Sequence, residues 1–402
     1  MNHIITFRAI WCLILIKTAQ LDIFKRIMIE YIVMKQLDII NLSKSKINNS
    51  AIILCDDKHH PEEEINSALE QVSNWKGAHN YPLSVFKKRL KRVSEKQDKN
   101  ALSAQRLKRV SSILKKLKRR YNNNKPTMKL TQMQDIAGCR VVMSNIKLAT
   151  ELYEKYYLNG DLKHKRVNEK NYILYPKQDG YRSIHIIYKY KSDKGKDKYN
   201  GLLIEVQIRS KLQHLWATAV ETVDFFTRQA IKSNLGEENW KIFFKLVSSA
   251  FAKLENTPII SGTPENEKEL YLQIKQKEQE LQVIKKMKHW TESIKSFDNF
   301  KNKKNMYFYL LELDTILERL NITAFNKKQE TEALIAYSKA ERKIYNRKEY
   351  DVVLVSADNI QDLKKAYPNY FLDTKEFIKH LEIILNKYKW NNEKEASMSW
   401  VV

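Results

Sequence analysis

Hydrophobic and polar residues alternate with two different periods along the chain, and the change of period predicts which segments are strands and which are helices. Between residues 202 and 209 every second side chain lies on one apolar face, which is the two-residue period of a β-strand. Residues 210–232 instead repeat apolar side chains every three or four positions, which predicts a long helix packed on that face. The apolar face of the strand carries Leu202, Ile204, Val206 and Ile208, and the opposite face carries Leu203, Glu205, Gln207 and Arg209.

The same two periods predict further elements on both sides of this pair. Pro61 followed by three glutamates is typical of a helix start, and apolar stripes within residues 87–125 predict two basic amphipathic helices. The Asp179-Gly180 dipeptide predicts a turn before a strand at 182–190. Other predicted elements are strands at 136–143, 306–313 and 352–356, and helices at 146–157, 238–254, 265–289, 330–348, 359–366 and 374–388.

These elements predict a mostly helical protein with some β-structure, in which helices cover a sheet and a further segment of alternating strands and helices follows. Pro and Gly residues between 257 and 264 mark the clearest linker. We therefore expect a poorly defined N-terminal extension (1–60), a first folded domain (61–256), a linker with helices (257–305) and a C-terminal domain (306–402).

The charge composition points to the kind of partner. The chain has 72 Lys and Arg against 47 Asp and Glu, a net charge of +25, and such an excess indicates an anionic partner such as a nucleotide, RNA or an acidic membrane. Eight Gly and seven Pro exclude a collagen-like or turn-dominated all-β protein. Three cysteines are too few for a disulfide framework or a four-cysteine zinc site, so we expect a reducing, cytoplasmic setting.

One apolar run near the N-terminus is the only membrane candidate in the sequence. Residues 10–16 are far fewer than the roughly 20 that a bilayer-spanning helix needs. We therefore expect no stable membrane insertion, and a membrane-tethered protein is the third-ranked functional class. Met28 and Met34 are alternative start positions, so residues 1–33 stay open as a start-site extension.

A cluster of cationic and hydroxyl side chains between residues 106 and 119 is the first candidate for chemistry. Ser112, Lys116 and Arg119 recur at the spacing of one helix face, and Arg106 and Lys108 lie ahead of the first turn of that helix. Helix N-terminal amides, lysine charges and arginine forks suit a polyphosphate. A solvated charged helix face would give the same pattern.

Two carboxylates and one loop are the next candidates. Asp135 precedes a predicted strand and Glu205 lies on the polar face of another, so the two could together hold Mg²⁺. Lys177, Tyr181 and His185 combine a cation, an aromatic ring and a histidine, which suit phosphate binding and base stacking. Taken singly, each of these residues is also common in a purely structural role.

Four separated motifs in this order resemble the synthetase domain of RelA/SpoT alarmone enzymes, over about residues 61–255. They are Arg106-x-Lys108 with Ser112 and Lys116, Asp135-Ile136-Ala137-Gly138-x-Arg140, Lys177 with Gly180-Tyr181-x-Ser183-x-His185, and Glu205-Val206-Gln207-Ile208-Arg209 followed by Trp216-Ala217. The resemblance implies an α/β (α+β) fold, with a nucleotidyltransferase-like mixed sheet flanked by helices and a small C-terminal α/β domain. It also implies transfer of the β,γ-pyrophosphate of ATP to a ribose 3′-hydroxyl with Mg²⁺. No His-Asp dipeptide occurs in the chain, so we expect the hydrolase half of the long family members to be absent.

The resemblance also implies roles, position by position. Asp135 and Glu205 would be catalytic and bind Mg²⁺, with Glu205 a candidate for activating the hydroxyl. ATP would be bound by Arg106, Lys108, Ser112, Lys116, Arg119 and Arg140, with Arg106 and Arg140 on the adenine. The acceptor would be bound by Lys177, Tyr181, His185 and Gln207. That acceptor is open: GDP or GTP, as in (p)ppGpp-type alarmone synthesis, or the 3′ CCA end of tRNA.

The C-terminal part has a partial resemblance of its own, to fused toxin–antitoxin members of this family, the CapRel type. It is carried by Tyr367-Pro368-Asn369-Tyr370, and implies a growth-arrest toxin inhibited by its own C-terminal domain through Tyr367 and Tyr370, with a phage protein as the trigger. A tRNA acceptor is implied as well, and Lys87, Lys88, Arg89, Lys91 and Arg92 form the candidate RNA surface. A non-catalytic nucleotide- or RNA-binding module on the same scaffold is the alternative.

Overall fold

The computed structural model describes most of the chain between residues 43 and 388. The described residues are 43–56, 60–121, 125–126, 128–193, 195–227, 238–293, 295–298, 305–314, 317, 319–344, 350–357, 360–366 and 374–388. They fall into two compact units, Met1–Ala78 with Ile113–Gln132, and His79–Ser112 with Met133–Val402.

Helices and strands alternate through most of the described chain. The helices are α1 (Lys44–Ile53), α2 (Glu62–Ala78), α3 (Asn80–Gln97), α4 (Val110–Leu117), α5 (Ile146–Tyr153), α6 (Lys211–Thr227), α7 (Glu238–Leu254), α8 (Glu267–Leu281), α9 (Val283–Ser293), α10 (Glu330–Lys343), α11 (Ile360–Ala366) and α12 (Lys375–Asn386). The strands are β1 (Leu102–Leu107), β2 (Arg120–Tyr121), β3 (Lys125–Pro126), β4 (Ala137–Met143), β5 (Lys165–Asn171), β6 (Ile184–Lys189), β7 (Leu203–Ser210), β8 (Lys295–Asp298), β9 (Met306–Asp314), β10 (Arg319–Asn326) and β11 (Tyr350–Ser356). Within these residues no helix is long and apolar enough to cross a bilayer, and the apolar run at 10–16 lies outside them.

The first unit contains α1, which lies in the part of the chain that we expected to be a poorly defined extension. Ser43 caps α1 by accepting the backbone N–H of Lys46 at 3.2 Å. Ile47 and Ala51 are buried on one side of the helix, so a short apolar face is enough to hold a segment whose composition is otherwise polar. The Oγ of Ser50 donates to Gln71 on α2 at 2.7 Å.

The second unit is built on a nine-stranded sheet with the order β5-β6-β7-β4-β1-β11-β9-β10-β8. The pairs β4–β7 and β8–β10 are parallel, and the other neighbours are antiparallel. The predicted mixed sheet flanked by helices is therefore confirmed. Strand β11 pairs with β1, with Gln105 opposite Ser356, so the sheet runs straight through the expected boundary at residue 306. Our division of the chain into domains stays a prediction.

Helices cover the two faces of the sheet differently. On one face, α3 and α5 pack on β4, β6 and β7, and α10 packs on β9 and β11. On the other face, Leu363 of α11 joins a buried cluster with Ala104 of β1 and Val355 of β11. A separate cluster joins α6 to α7, α8, α9 and α12. The face with α11 is the one that carries the candidate site.

Several sequence predictions of secondary structure are wrong at specific segments. Residues 102–107 form strand β1 and not helix, because hydrogen bonding to β4 and β11 on both sides overrides a helix-like apolar spacing. The predicted helix at 265–289 is two helices, since Gln282 between them has a left-handed backbone (φ 52°). The α-helix predicted at 146–157 ends at Tyr153 and continues as a π-helical turn, Glu154–Leu158.

Candidate active site

The candidate site is built on one face of the sheet where β6, β7, β4 and β1 are neighbours. Directly opposite residues of neighbouring strands point to the same face. Gln207 lies opposite both Arg140 on β4 and His185 on β6. Glu205, two residues before Gln207, lies opposite Gly138, which in turn lies opposite Arg106 on β1. The residues that share this face are Arg106, Arg140, His185, Glu205, Gln207 and Arg209.

The two predicted catalytic carboxylates have different partners. The Nζ of Lys108 lies 3.0 Å from the Oδ2 of Asp135, and both side chains are about a quarter exposed (23%). The backbone N–H of Lys108 donates to the carbonyl of Ile136 at 2.7 Å, which fixes this end of β1 against the start of β4. A predicted ATP ligand and a predicted metal ligand are therefore in contact.

Glu205 is buried and held by hydrogen bonds. His185 Nδ1 lies 2.8 Å from Glu205 Oε1, and Gln207 Nε2 donates to Glu205 Oε2 at 2.7 Å. Burial, the largest single effect, and the nearby charge of Asp135 raise the pKa of Glu205. The hydrogen bond and charge of His185, together with the hydrogen bond from Gln207, outweigh them, so the pKa of Glu205 lies below its ordinary value. Glu205 is consequently ionised at neutral pH.

Tyr181 and Arg209 close this arrangement into a hydrogen-bonded ring of five side chains: Tyr181, His185, Glu205, Gln207 and Arg209. A carboxylate can only accept, so His185 carries a proton on Nδ1 and its Nε2 faces the Tyr181 hydroxyl at 2.7 Å. Arg209 Nη2 donates to that hydroxyl and to Gln207 Oε1, the latter at 3.2 Å. The ring joins three predicted acceptor ligands to the predicted catalytic carboxylate.

A strained turn delivers Tyr181 to this ring. Gly180 has φ +95°, and a Cβ built there would lie 2.6 Å from Cζ2 of Trp216, so only glycine fits. The Oγ of Ser248 on α7 donates to the Gly180 carbonyl at 2.6 Å. Asp179 Oδ1 accepts the backbone N–H of Tyr181 at 2.9 Å. The predicted Asp179-Gly180 turn is confirmed, and it is clamped by α6 and α7.

Cations and a second aromatic ring surround Tyr181. Lys177 Nζ lies 4.8 Å from the centre of the Tyr172 ring and 5.0 Å from that of Tyr181. Tyr172 packs edge-on against Tyr181 and against His185, with ring centres 5.9 and 5.4 Å apart. The carbon Cζ of Arg209 lies 5.0 Å from the centre of the Tyr181 ring. The structure therefore brings together all four predicted acceptor ligands.

Two residues of this group, Arg209 and Tyr172, had no role assigned from the sequence. Arg209 could have been found, because it follows Glu205 and Gln207 at the strand period that places all three on the polar face. Tyr172 has no comparable signal, since it follows β5, an edge strand without regular alternation.

The predicted ATP ligands are spread over both units. Arg106, Lys108 and Arg140 belong to the second unit, as does Ser112 at its boundary, whereas Lys116 and Arg119 belong to the first. Ser112 and Lys116 lie one turn apart on α4 and are partly exposed, and Arg119 is exposed beyond the end of the helix.

The start of α4 has contacts that the sequence did not predict. The backbone N–H of Val110 donates to Glu341 Oε1 of α10 at 2.8 Å. Arg109 forms an ion pair with Asp351 of β11. Two carboxylates from the C-terminal part of the chain thus hold the first residues of the predicted ATP helix.

The five candidate RNA-binding residues on α3 differ in exposure. Lys87 is only 2% exposed, with its Nζ 3.3 Å from the Tyr307 hydroxyl and 4.8 Å from the centre of that ring. This burial argues against Lys87 as an RNA contact. Lys91 pairs with Glu95 at 3.5 Å, and Arg89 is partly buried, while Lys88 and Arg92 are exposed. The predicted regulatory residues Tyr367 and Tyr370 lie outside the described residues.

Comparison with known families agrees with the motifs on this sheet face. The family model described as "Region found in RelA / SpoT proteins" matches residues 105–225. Residues 105–225 therefore resemble a RelA/SpoT region. This RelA/SpoT region contains every predicted catalytic, ATP-binding and acceptor-binding residue, from Arg106 to Gln207.

A curated relative is similar to part of the chain. The GTP pyrophosphokinase YjbM of Bacillus subtilis (strain 168) is 30% identical over 120 residues, which are 30% of this chain and 54% of that protein. The chain thus matches about half the length of this curated relative.

Solved structures of small alarmone synthetases are similar to part of the chain. Small alarmone synthetase 1 from Bacillus subtilis, bound to its product pppGpp, is 23% identical, with a TM-score of 0.40 over 46% of this chain and 94% of that one. Small alarmone synthetase 2 from the same organism is 21% identical, with a TM-score of 0.37 over 46% of this chain and 93% of that one.

Proposed function

We propose that the protein is an ATP-dependent pyrophosphotransferase that moves the β,γ-pyrophosphate of ATP to a ribose 3′-hydroxyl. The observation that carries the proposal is that Glu205, Arg106 and Arg140 share one sheet face, while Asp135, just before β4, and Lys108, just after β1, are in contact. A site that only bound nucleotide would not need a buried, ionised glutamate beside a polyphosphate site. The RelA/SpoT region and a relative named as a GTP pyrophosphokinase support the same reaction.

The roles of the side chains follow from the reaction. The 3′-oxygen forms a bond to the β-phosphorus while the bond from that phosphorus to the α,β-bridging oxygen breaks, and AMP leaves. Because Glu205 is ionised, its carboxylate is ready to take the proton of the attacking hydroxyl. Lys108 and the two arginines offset the charge of the phosphates and hold ATP in line, which is most of what phosphoryl-type transfer requires.

Asp135 and Glu205 fit a Mg²⁺ ion. Among the described residues no group of three or more His, Cys, Asp and Glu side chains forms a metal cage, and Mg²⁺ usually takes one or two carboxylates and completes its shell with water and phosphate oxygens. The charge of Asp135 raises the pKa of Glu205 against the hydrogen bond from His185, a repulsion that a divalent cation would relieve. When bound, the ion would offset charge on the transferred phosphates.

The first experiment is a transfer assay with Mg²⁺ and labelled ATP, offering GDP, GTP, ATP and deacylated tRNA together. We expect label in the acceptor, and a loss of at least about 100-fold in Asp135→Asn and Glu205→Gln. Glu376→Gln is the matched control, because Glu376 is an exposed carboxylate paired with Lys211 at 3.1 Å. Binding of ATP without transfer, unchanged by either site variant, would favour the non-catalytic binding module.

We propose a guanine nucleotide as the acceptor. The reason is that the curated relative, 30% identical over 120 residues, is named a GTP pyrophosphokinase. The tRNA 3′ end is the second candidate, favoured by the net charge of +25 and by exposed Lys88 and Arg92. Exchanging those two for Gln should weaken transfer to tRNA and flatten its salt dependence, while transfer to GTP stays unchanged.

We also propose that the C-terminal part restrains the site, as a growth-arrest toxin would require. Support comes from α11, which packs on β1 on the same sheet face as Arg106. Tyr367 and Tyr370 follow α11 in the sequence, and a phage protein is the proposed trigger that releases them.

Loosening α11 tests this restraint. We expect Leu363→Ala to raise transfer activity, since Leu363 is fully buried and joins α11 to Ala104. Ile322→Ala is the matched control, because it opens a cavity in the same cluster but lies on β10. If the transfer activity of Leu363→Ala is no higher than that of the control, α11 supports the site and does not restrain it.

A further inference from the structure

We propose that Arg209 is a positioning residue that fixes the Tyr181 ring and the Gln207 amide for the acceptor. The proposal rests on the function proposed above, and it adds a residue to which neither the motifs nor the comparisons assign a role. It is carried by the contacts of one nitrogen and by the burial of the whole guanidinium.

The contacts of Arg209 link the two sides of the acceptor pocket. Its Nη2 donates both to the Tyr181 hydroxyl and to Gln207 Oε1, and Gln207 passes the constraint to Glu205 through its own 2.7 Å hydrogen bond. The same guanidinium lies 5.0 Å from the centre of the Tyr181 ring, within the range of a cation–π contact. Tyr181 is thus held both at its hydroxyl and at its ring.

The burial of Arg209 is costly for a residue with a merely structural role. The side chain is only 4% exposed, it forms no ion pair within the described part of the chain, and its Nε and Nη1 find no hydrogen-bond partner there. A buried guanidinium without a carboxylate loses hydration that one hydroxyl and one amide oxygen do not fully restore. Methionine would fill similar space without that penalty, so the charge itself points to a function at Tyr181.

The pKa of the Tyr181 hydroxyl depends directly on its contact with Arg209. Burial raises the pKa of Tyr181, but the charges of Arg209 and His185 lower it, to about 7. The groups around Tyr181 are Arg209, His185, Lys177, Tyr172, Asp179 and the more distant Glu205. Removing the guanidinium takes away one of the two charges that lower the pKa of Tyr181, and His185 alone then opposes burial and Glu205, so this pKa should rise.

The test is a tyrosinate absorbance titration of the full chain without substrates. The difference between the titration curves of the parent and Tyr181→Phe isolates the ionisation of one of the 21 tyrosines. We call this difference the Tyr181 component, and we expect its midpoint near neutral pH. In Arg209→Met it should move to higher pH, whereas Arg209→Lys should move it less because the charge is kept. Lys87→Met is the matched control, since Lys87 is a buried cation over a different tyrosine, Tyr307, and it should leave the component in place.

Steady-state kinetics provide the second readout. We expect Arg209→Met to raise the KM for the acceptor by about 10- to 100-fold, as misplaced binding groups do, with the KM for ATP nearly unchanged and partial recovery in Arg209→Lys. If Arg209→Met does not fold, the titration and kinetics of Arg209→Lys decide.

The outcomes separate this inference from the proposed function. A shifted Tyr181 component in a protein with no transfer activity supports the contact and overturns the function. Transfer activity with an unshifted component and an unchanged acceptor KM overturns the role of Arg209 and leaves the function standing. If the parent protein has no Tyr181 component near neutral pH, the proposed role of Arg209 is overturned as well.

Discussion

At the scale of single residues, the site depends on positions where one side chain has no substitute. Gly180 is the clearest, because its backbone is left-handed and Trp216 occupies the space where any Cβ would lie. His185 is another, since one ring nitrogen serves Tyr181 and the other serves Glu205. Both residues were predicted from the sequence, but the reasons for them became visible only through Trp216 and Glu205.

Gly180→Ala should disrupt the acceptor side of the site. The added methyl would have to displace the Trp216 ring and adopt an unfavourable backbone conformation, so we expect a loss of about 1–3 kcal/mol in the free energy of unfolding and a strong loss of transfer. Urea denaturation and the transfer assay measure these effects. Gly195→Ala is the control, because Gly195 also has a positive φ (+60°) but a Cβ added there would meet nothing within 4 Å. Equal destabilisation of the two variants would contradict a role for the Trp216 contact.

His185 should make stability depend on pH. Burial lowers the pKa of His185, but Tyr181 and the hydrogen bond to Glu205 raise it, to about 8. A raised folded-state pKa stabilises the protein fully below the unfolded value, about 6.5, and that contribution is lost as pH rises through about 8. The difference in free energy of unfolding between the parent and His185→Gln, measured in metal-free buffer, should therefore be larger at about pH 6 than at about pH 9. A difference that does not change with pH would indicate that folding does not shift the pKa of His185, and a difference smaller at pH 6 than at pH 9 would indicate a lowered pKa.

At the scale of elements, the sequence predicted strands and helices wherever the apolar period was regular. The alternation at 202–209 predicted β7 and its polar face, and the period after it predicted α6. Strand β5 was missed because it is an exposed edge strand without an apolar face. Strand β1 was mistaken for a helix because its pairing with β11 depends on residues far away in the sequence. The contacts of Arg109 and Val110 were not predictable for the same reason.

The contact between Glu341 and the start of α4 should weaken ATP binding. A carboxylate at a helix N-terminus occupies an amide and places a negative charge where a phosphate would bind. Glu341→Gln keeps a hydrogen-bond acceptor and removes the charge, so we expect ATP to bind about 2- to 5-fold more tightly, as judged by calorimetric titration. Glu332→Gln is the control, because Glu332 lies on α10 like Glu341 but nearer the start of that helix. Weaker ATP binding in Glu341→Gln would mean that the carboxylate supports the ATP helix.

At the scale of the whole molecule, the nine-stranded sheet makes the C-terminal part a structural neighbour of the candidate site. Strand β11 occupies the hydrogen-bonding edge of β1, and β1 carries Arg106. A regulatory domain connected only by a linker could be removed without harm, but strands of a shared sheet cannot.

Deleting residues 306–402 should therefore destabilise the protein, so that the deletion does not raise its transfer activity. The deletion leaves β1 as an open, partly apolar edge and exposes Ala104 and its neighbours, so we expect aggregation and a cooperative unfolding transition that is lost or strongly weakened. Size-exclusion chromatography with light scattering and thermal unfolding measure this. A monomeric, fully folded truncated chain would show that the β1 edge needs no partner strand.

The pairing of β1 with β11 also has a consequence for the timing of synthesis. Arg109 and its partner Asp351 are 242 residues apart in the chain. At a translation rate of about 5–20 residues per second, the ribosome makes the second residue roughly 10–50 s after the first. For about the second half of that interval, after residue 225 has been made, the nascent polypeptide contains the whole RelA/SpoT region, while its β1 edge still lacks β11 and its site face lacks α11. A chaperone that shields this edge, or slow folding of the first strands until β11 emerges, would keep each new molecule from aggregating, or from acting before the proposed C-terminal restraint has been made.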